Sequence, residues 1–175
     1  MENLIINTNL HKQSKSLTLV KELEKAFQAH HGQIEILHLA DYPLPLCDGG
    51  PSFGHENVKR VSEKIQAASG LTLISPIYNY QYNAAAKNLI EVTGQAWKEK
   101  IVSFLCHAGG EKSYMSVMPV ANMLMLDFRC MIIPRFVYAI SGQYDESGVL
   151  DSDLKTRIQK LAQTQLKWVE AVPRG

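Results

Sequence analysis

The chain has 175 residues, 46% hydrophobic and 20% charged, which is enough for one globular domain with its own core and excludes a disordered or fibrous composition. Eighteen basic residues against seventeen acidic ones leave a net charge of +1, so neither a nucleic-acid footprint nor a polybasic membrane face is expected, and small molecules are the expected partners. Cys47, Cys106 and Cys130 are far apart and odd in number, which fits reduced thiols rather than a disulfide framework or a zinc site.

The opening Leu4-Ile5-Ile6 predicts a short strand buried on both faces, within a segment too short for a signal peptide. With no apolar run long enough to span a bilayer, the cytoplasm is the expected location. After a polar stretch, Leu17, Leu19, Val20, Leu23, Ala26 and Phe27 fall at helical spacing, and Gly32 is placed to end that helix. Gln33 to Leu39 reads as a strand near the sheet edge, followed by a Pro-rich loop from Asp41 to Pro51 that is long enough to need a function.

Val58, Val61, Ile65 and Ala68 mark a second helix, and Leu71 to Ile74 a third strand that should stop at Pro76, which lacks an N–H for the ladder. A helix over Ala84 to Gln95, a strand over Ile101 to Cys106, a Met-rich helix over Tyr114 to Phe128, a strand over Phe136 to Ile140 and a closing helix over Ser152 to Glu170 complete the pattern, with Asp151 as N-cap of the last. Five strands alternating with five helices predict an α/β fold in three layers, a parallel sheet with helices on both faces, over one domain spanning residues 1–172. In such sheets ligands sit beyond the C-terminal strand ends, where strand order reverses.

Three loops fall at that edge. The first, Asn7 to Ser16, gathers hydroxyls, amides and cations before a helix, where an anion is favoured by free N–H groups and the helix dipole; Ser14 and Ser16 offer hydrogen bonds and Lys12 or Lys15 charge. A plain capping loop explains the same residues. The second, Ser75 to Tyr82, brings Tyr78, Tyr80 and Tyr82 to a strand end, as a platform for a flat ligand or as an aromatic turn packed on another subunit. The third, His107-Ala108-Gly109-Gly110, lets backbone approach a ligand closely, or merely turns the chain.

Taken in order, these segments resemble the NADPH-dependent FMN reductase family of flavodoxin-like proteins. Ser75-Pro76-Ile77-Tyr78-Asn79 followed by Lys87-Asn88 is similar to its (T/S)-P-E-Y-N…K-N signature, Asp41 to Pro45 to its loop after the second strand, and Tyr144 to Leu150 to its late F-D-x-x-G-x-L segment. Thr8, Asn9, His11 and Ser14 occupy the Gly, Ser, Arg and Ser positions of its phosphate loop, G-S-x-R-x-x-S, so only the last serine is kept.

The resemblance implies a flavodoxin-like fold whose five-stranded parallel sheet has the order 2-1-3-4-5. It implies FMN as cofactor, with its phosphate near Asn9, His11, Ser14, Lys15 and Ser16. Pro76, Ile77, Tyr78 and Asn79 would lie along its ring, and His107, Ala108, Gly109 and Gly110 by the pyrimidine edge. It further implies NADPH or NADH as electron donor, reduction of a flavin, quinone or similar small acceptor, no catalytic side-chain acid or base, no metal, and a homodimer or homotetramer. Two alternatives carry the same motifs: a flavin-binding electron carrier, and a family member whose altered phosphate loop leaves a non-catalytic binding or assembly module.

Other chemical-looking residues have structural readings. Cys106 is expected as a small core residue and the Met115 to Met131 run as a packing stripe, whereas His30 and His31 should face water. Trp97 and Trp168 fit either a core or an interface.

Overall fold

A computed structural model describes residues 3–12 and 14–172; of the segments discussed above, Met1, Glu2 and Gln13 lie outside the described residues. The elements run β1 (Asn3–Asn7), α1 (Ser16–Ala29), β2 (Ile34–His38), α2 (Glu56–Ala67), β3 (Gly70–Tyr78), β4 (Gln81–Tyr82), α3 (Ala84–Thr93), β5 (Ile101–Ala108), α4 (Met118–Phe128), β6 (Met131–Ile132), β7 (Val137–Ile140) and α5 (Ser152–Ala171). The central order is β2-β1-β3-β5, with β6 and then β7 pairing successive parts of the outer side of β5, all in parallel. This is the doubly wound 2-1-3-4-5 order of a flavodoxin-like fold.

Among the described residues the sheet has seven strands rather than five. The expected fifth strand over Phe136 to Ile140 is β7, and one addition is β6, ahead of it and separated from it by Pro134, which cannot donate to the ladder. The other addition, β4, folds back antiparallel on the end of β3.

Strand alternation sorts the core onto the two faces. Leu4, Ile6, Leu71, Leu73, Val102 and Phe104 face α2, α3 and α4, whereas Ile5, Ile74, Ile101 and Leu105 face α1 and α5. Trp97 is fully buried in the first layer, its indole N–H donating to Thr93 Oγ1 at 2.8 Å, and half-buried Trp168 packs on the second. A buried polar cluster pins α5 to the sheet: Gln165 accepts from the Thr72 hydroxyl at 2.9 Å and donates to Asn3 Oδ1 at 3.0 Å, with Ser103 Oγ 2.5 Å from Gln165 Oε1.

Several local expectations change. Helix α1 ends with His31, not Gly32, in the left-handed region (φ 57°), and the Gly32 N–H reaches back to the Phe27 carbonyl. The Met-rich segment begins as a 3-10 stretch, Glu111–Val117, and becomes α-helical only at Met118, with Pro119 in the first turn. Its packing face is Val120, Ala121 and Leu124; of the methionines expected as a core stripe, Met123 and Met131 pack partly buried on the core, whereas Met115, Met118 and Met125 are exposed. Cys106 is buried, and desolvation pushes its thiol up to about 12, as suits an inert core residue. His30 and His31 are exposed, and the Asp151 carboxylate caps α5 by accepting from Leu154 N at 2.6 Å.

Candidate functional site

β3 does not stop at Pro76. The Ile74 carbonyl accepts from Thr8 N at 2.9 Å, so Ile74 and, two residues on, Pro76 present their backbone groups to the β1 side, where β1 has already ended at Asn7. No ladder donor is needed from Pro76 there, and β3 runs on to Tyr78 while pairing with β5 as far as His107. Asn79 (φ 50°) and Tyr80 (φ 62°) then form a two-residue turn with both residues left-handed, and β4 returns with Tyr78 opposite Gln81.

The extended β3, the loop after β1 and the end of β5 enclose a cleft of about 350 Å³ at the C-terminal edge of the sheet. The first loop contributes Asn9, Ser14, Lys15 and Ser16. Pro76, Ile77 and Tyr78 come from β3, and His107, Ala108 and Gly109 from the end of β5. These residues, separated widely in sequence, are thus brought together as the motif reading expected. Three others are placed elsewhere. His11 lines a smaller adjoining cavity of about 150 Å³ with His38 and Asp41, Asn79 occupies the exposed tip of the β3–β4 turn, and Gly110 lies just outside the cleft wall.

The anion-favouring end of the cleft is built by α1. Among the described residues no side chain caps this helix, and because Leu17 N and Thr18 N donate to the Ser14 and Lys15 carbonyls at 3.0 and 3.1 Å, what its start offers a ligand is the positive dipole end. Ser14 Oγ is buried without a hydrogen-bond partner among the described residues, and Asn9 Nδ2 ties the loop to Ser16 Oγ at 3.2 Å. Lys15 supplies the charge, its ammonium sitting 5.1 Å from the centre of the Tyr144 ring. The Tyr144 ring meets His107 edge-on at 5.3 Å. His107 Nε2 and the Tyr144 hydroxyl are likewise buried and unpartnered. Burial, followed by the nearby Lys15 charge, holds the His107 pKa below its ordinary value, and burial raises that of Tyr144.

At the opposite end a Cβ on Gly109 or Gly110 would meet nothing within 4 Å, so the chain's own packing does not require glycine and backbone lies open to a close-approaching group. The Tyr138 hydroxyl donates to the Gly110 carbonyl at 2.6 Å and anchors this turn. Tyr78 is 57% exposed at the rim, leaving one side of the cleft open. Unpartnered hydroxyl and imidazole groups, an uncapped helix start, a lysine and an uncrowded glycine turn fit a flat ligand bearing a phosphate.

Three supporting residues lie outside the site residues expected from the motifs. Tyr144 belongs to the late family-like segment, but its contact with Lys15 and His107 arises only on folding. Asn83 caps α3 and bridges the first two loops. Asn88 accepts from Cys47 N and donates to the Pro45 carbonyl, each at 2.9 Å, and so pins the Pro-rich loop. The signals were present as an Asn before a run of alanines and as the Asn of Lys87-Asn88.

Comparison with known proteins is consistent with this geometry. The family model described as NADPH-dependent FMN reductase matches residues 1–145. An NAD(P)H-dependent FAD/FMN reductase of Geobacillus thermodenitrificans is 27% identical over 132 residues, covering 74% of this chain and 71% of that protein. An NADPH azoreductase from a Bacillus species is 26% identical over 160 residues, covering 90% and 86%. Among solved structures, a flavoenzyme NAD(P)H:(acceptor) oxidoreductase from Paracoccus denitrificans superimposes with a TM-score of 0.78 at 22% identity, covering 97% of this chain and 98% of that one.

Proposed function

Since the chain belongs to the NADPH-dependent FMN reductase family and is an NAD(P)H-dependent flavin oxidoreductase with FMN as cofactor, we propose that FMN occupies the cleft between the first loop, β3 and β5. The phosphate is held by Ser14, Lys15, Ser16 and the start of α1, with Asn9 fixing the loop. Pro76, Ile77 and Tyr78 lie along the ring, and Ala108, Gly109 and the adjoining Gly110 approach its polar edge. The observation that carries this reading is the convergence of an unpartnered buried Ser14 Oγ, an uncapped helix start and Lys15 at one end of a single cleft.

FMN supplies the hydride chemistry when bound. The protein's part is to orient and to exclude. The β3–β4 turn and the glycine turn present backbone N–H groups where negative charge is stabilised, without a side-chain acid or base. His107, kept neutral by burial and by Lys15, adds no second fixed cation. The open rim at Tyr78 serves the nicotinamide and then the acceptor in turn.

A flavin, a quinone or a similar flat acceptor suits that rim, and relatives from Bacillus and Staphylococcus aureus are named azoreductases. The functional unit spans residues 1–172 and works as a homodimer or homotetramer in the cytoplasm. Leu46 and Leu126, each more than 80% exposed, together with an apolar groove of about 430 Å³ between the Pro-rich loop and α3, support assembly. Among the described residues no helix is long and apolar enough to cross a membrane.

The visible spectrum of purified protein before and after addition of FMN tests the reading, followed by NADPH and NADH oxidation with a panel of flavins, quinones and azo dyes. A bound-flavin spectrum and acceptor-dependent turnover are expected. Failure to take up FMN at high micromolar concentration would overturn it.

A further inference from the structure

On the outer flank of the sheet, beside β7, lies a second cavity of about 420 Å³ that shares no lining residue with the cleft. One wall is the face of α5 on which Asp153, Arg157 and Lys160 recur at helical spacing, and the other is Arg135, Phe136 and Tyr114. Arg157 is committed to the fold, since it donates to the Tyr138 carbonyl at 3.1 Å and its charge is matched by Asp153 at 2.9 Å. Arg135 and Lys160 have no partner among the described residues. With the Asp153–Arg157 pair cancelling, the cavity therefore carries two uncompensated positive charges.

The cations lie beside an aromatic shelf. Tyr114 and Phe136 sit with ring centroids 4.7 Å apart at 34°, and Tyr114 is half exposed. Such a surface offers a face for a planar base next to guanidinium and ammonium donors suited to a dianion. The shelf is also continuous with the cleft. Tyr114 packs edge-on against Tyr138 at 5.5 Å, and the Tyr138 hydroxyl holds the Gly110 carbonyl next to the cleft residue Gly109. A dinucleotide with its redox end at the Tyr78 rim would pass the glycine turn toward this shelf.

We propose that the cavity beside β7 is the subsite for the 2′-phosphoadenosine end of NADPH. The base lies on Tyr114 and Phe136, and Arg135 and Lys160 take the 2′-phosphate that distinguishes NADPH from NADH. The proposal rests on the oxidoreductase reading above for the identity of the dinucleotide, but the site itself can be probed without flavin.

The test is calorimetric titration of the full chain with 2′,5′-ADP, with 5′-ADP and with inorganic phosphate. Binding of 2′,5′-ADP at least tenfold tighter than of 5′-ADP is expected, with weakening of tenfold or more in Arg135→Ala and Lys160→Glu, both exposed positions whose circular dichroism and melting controls should match wild type. In steady-state kinetics the same variants should raise the KM for NADPH at least tenfold more than the KM for NADH. Equal affinity for the two nucleotides, competition by phosphate as strong as by 2′,5′-ADP, or parallel changes in both KM values would each overturn the proposal. A chain that takes up no FMN yet prefers 2′,5′-ADP would refute the oxidoreductase reading alone, whereas a flavin-loaded chain without that preference would refute this subsite alone.

Discussion

Thr8 and Asn83, 75 residues apart, lock each other in the interior. The Thr8 hydroxyl lies 3.0 Å from Asn83 Oδ1, and Asn83 Nδ2 donates to the Thr8 carbonyl at 2.8 Å. The same Asn83 Oδ1 accepts from Ala86 N at 3.0 Å and caps α3, while Asn83 N reaches Ser75 Oγ at 3.3 Å. One side chain thus fixes the loop after β1, the end of β3 and the start of α3 relative to one another, and with them two walls of the cleft.

Replacing Asn83 by Ala should therefore act on stability and on the site together. It removes a helix cap and strands the Thr8 carbonyl in the interior, while the Thr8 hydroxyl keeps its bond to the Ile74 carbonyl at 3.1 Å, a loss of about 2–4 kcal/mol. Urea unfolding of the apo-protein should show it, together with a weakened FMN affinity. Asn83→Asp keeps the cap acceptor but not the donor to Thr8, and should fall between the two.

Ser14 has the opposite signature. Its hydroxyl is buried with no partner among the described residues, so Ser14→Ala should leave the apo-protein as stable as before or slightly more so. FMN affinity should fall by roughly 1.5–3 kcal/mol, the range for a hydrogen bond to a charged group, which is about 10- to 150-fold by fluorescence titration. Loss of stability without loss of affinity would place the phosphate elsewhere.

Periodicity locates most of the helices and a parallel sheet covered on both faces, because buried strands such as Leu4-Ile5-Ile6 and amphipathic helices such as α1 are written in local patterns, whereas the strand order comes with the family resemblance. The residues of the cleft were legible as three loops at one sheet edge. Less legible was everything that depends on a neighbour. Pro76 is tolerated in β3 only because β1 ends beside it, a fact about register. The exposed face of α4 follows from a 3-10 start and Pro119 rather than from its composition, and the grouping of Tyr144 with Lys15 and His107 exists only after β5 and the late segment meet.

Gly70, at the start of β3, is set by packing. A Cβ there would lie 2.5 Å from Asn3 Oδ1, 2.7 Å from Val169 Cγ2 and 2.9 Å from Gln165 Nε2. Gly70→Ala should therefore drive apart the polar cluster that holds α5 on the sheet, at a loss of roughly 1–3 kcal/mol as for other overpacked sites. Thermal melting would detect it. Gly109→Ala, where a Cβ meets nothing within 4 Å, should leave the apo-protein melt unchanged while disturbing FMN binding.

The pH dependence of the apo-protein should carry the mark of His107. Its imidazole is half-buried, and desolvation first and Lys15 second depress its folded pKa below the ordinary value. As pH falls through about 6.5, the unfolded chain takes up a proton that the folded chain refuses, so stability declines with acidification. The contribution is complete above that pH and is lost progressively down to the folded pKa, below which both states are protonated and the slope vanishes. His107→Gln removes the titrating group while keeping a polar side chain of similar reach. Urea midpoints measured between pH 7.5 and 5 should therefore fall less steeply for this variant than for wild type. Identical slopes would mean that Lys15 and burial leave His107 free to protonate in the folded chain. A bound phosphate beside Lys15 offsets the charge that opposes protonation and so lifts the folded pKa back toward the ordinary value; FMN loading should therefore end the His107-linked decline at a higher pH, make it smaller, and shrink the difference between the two proteins.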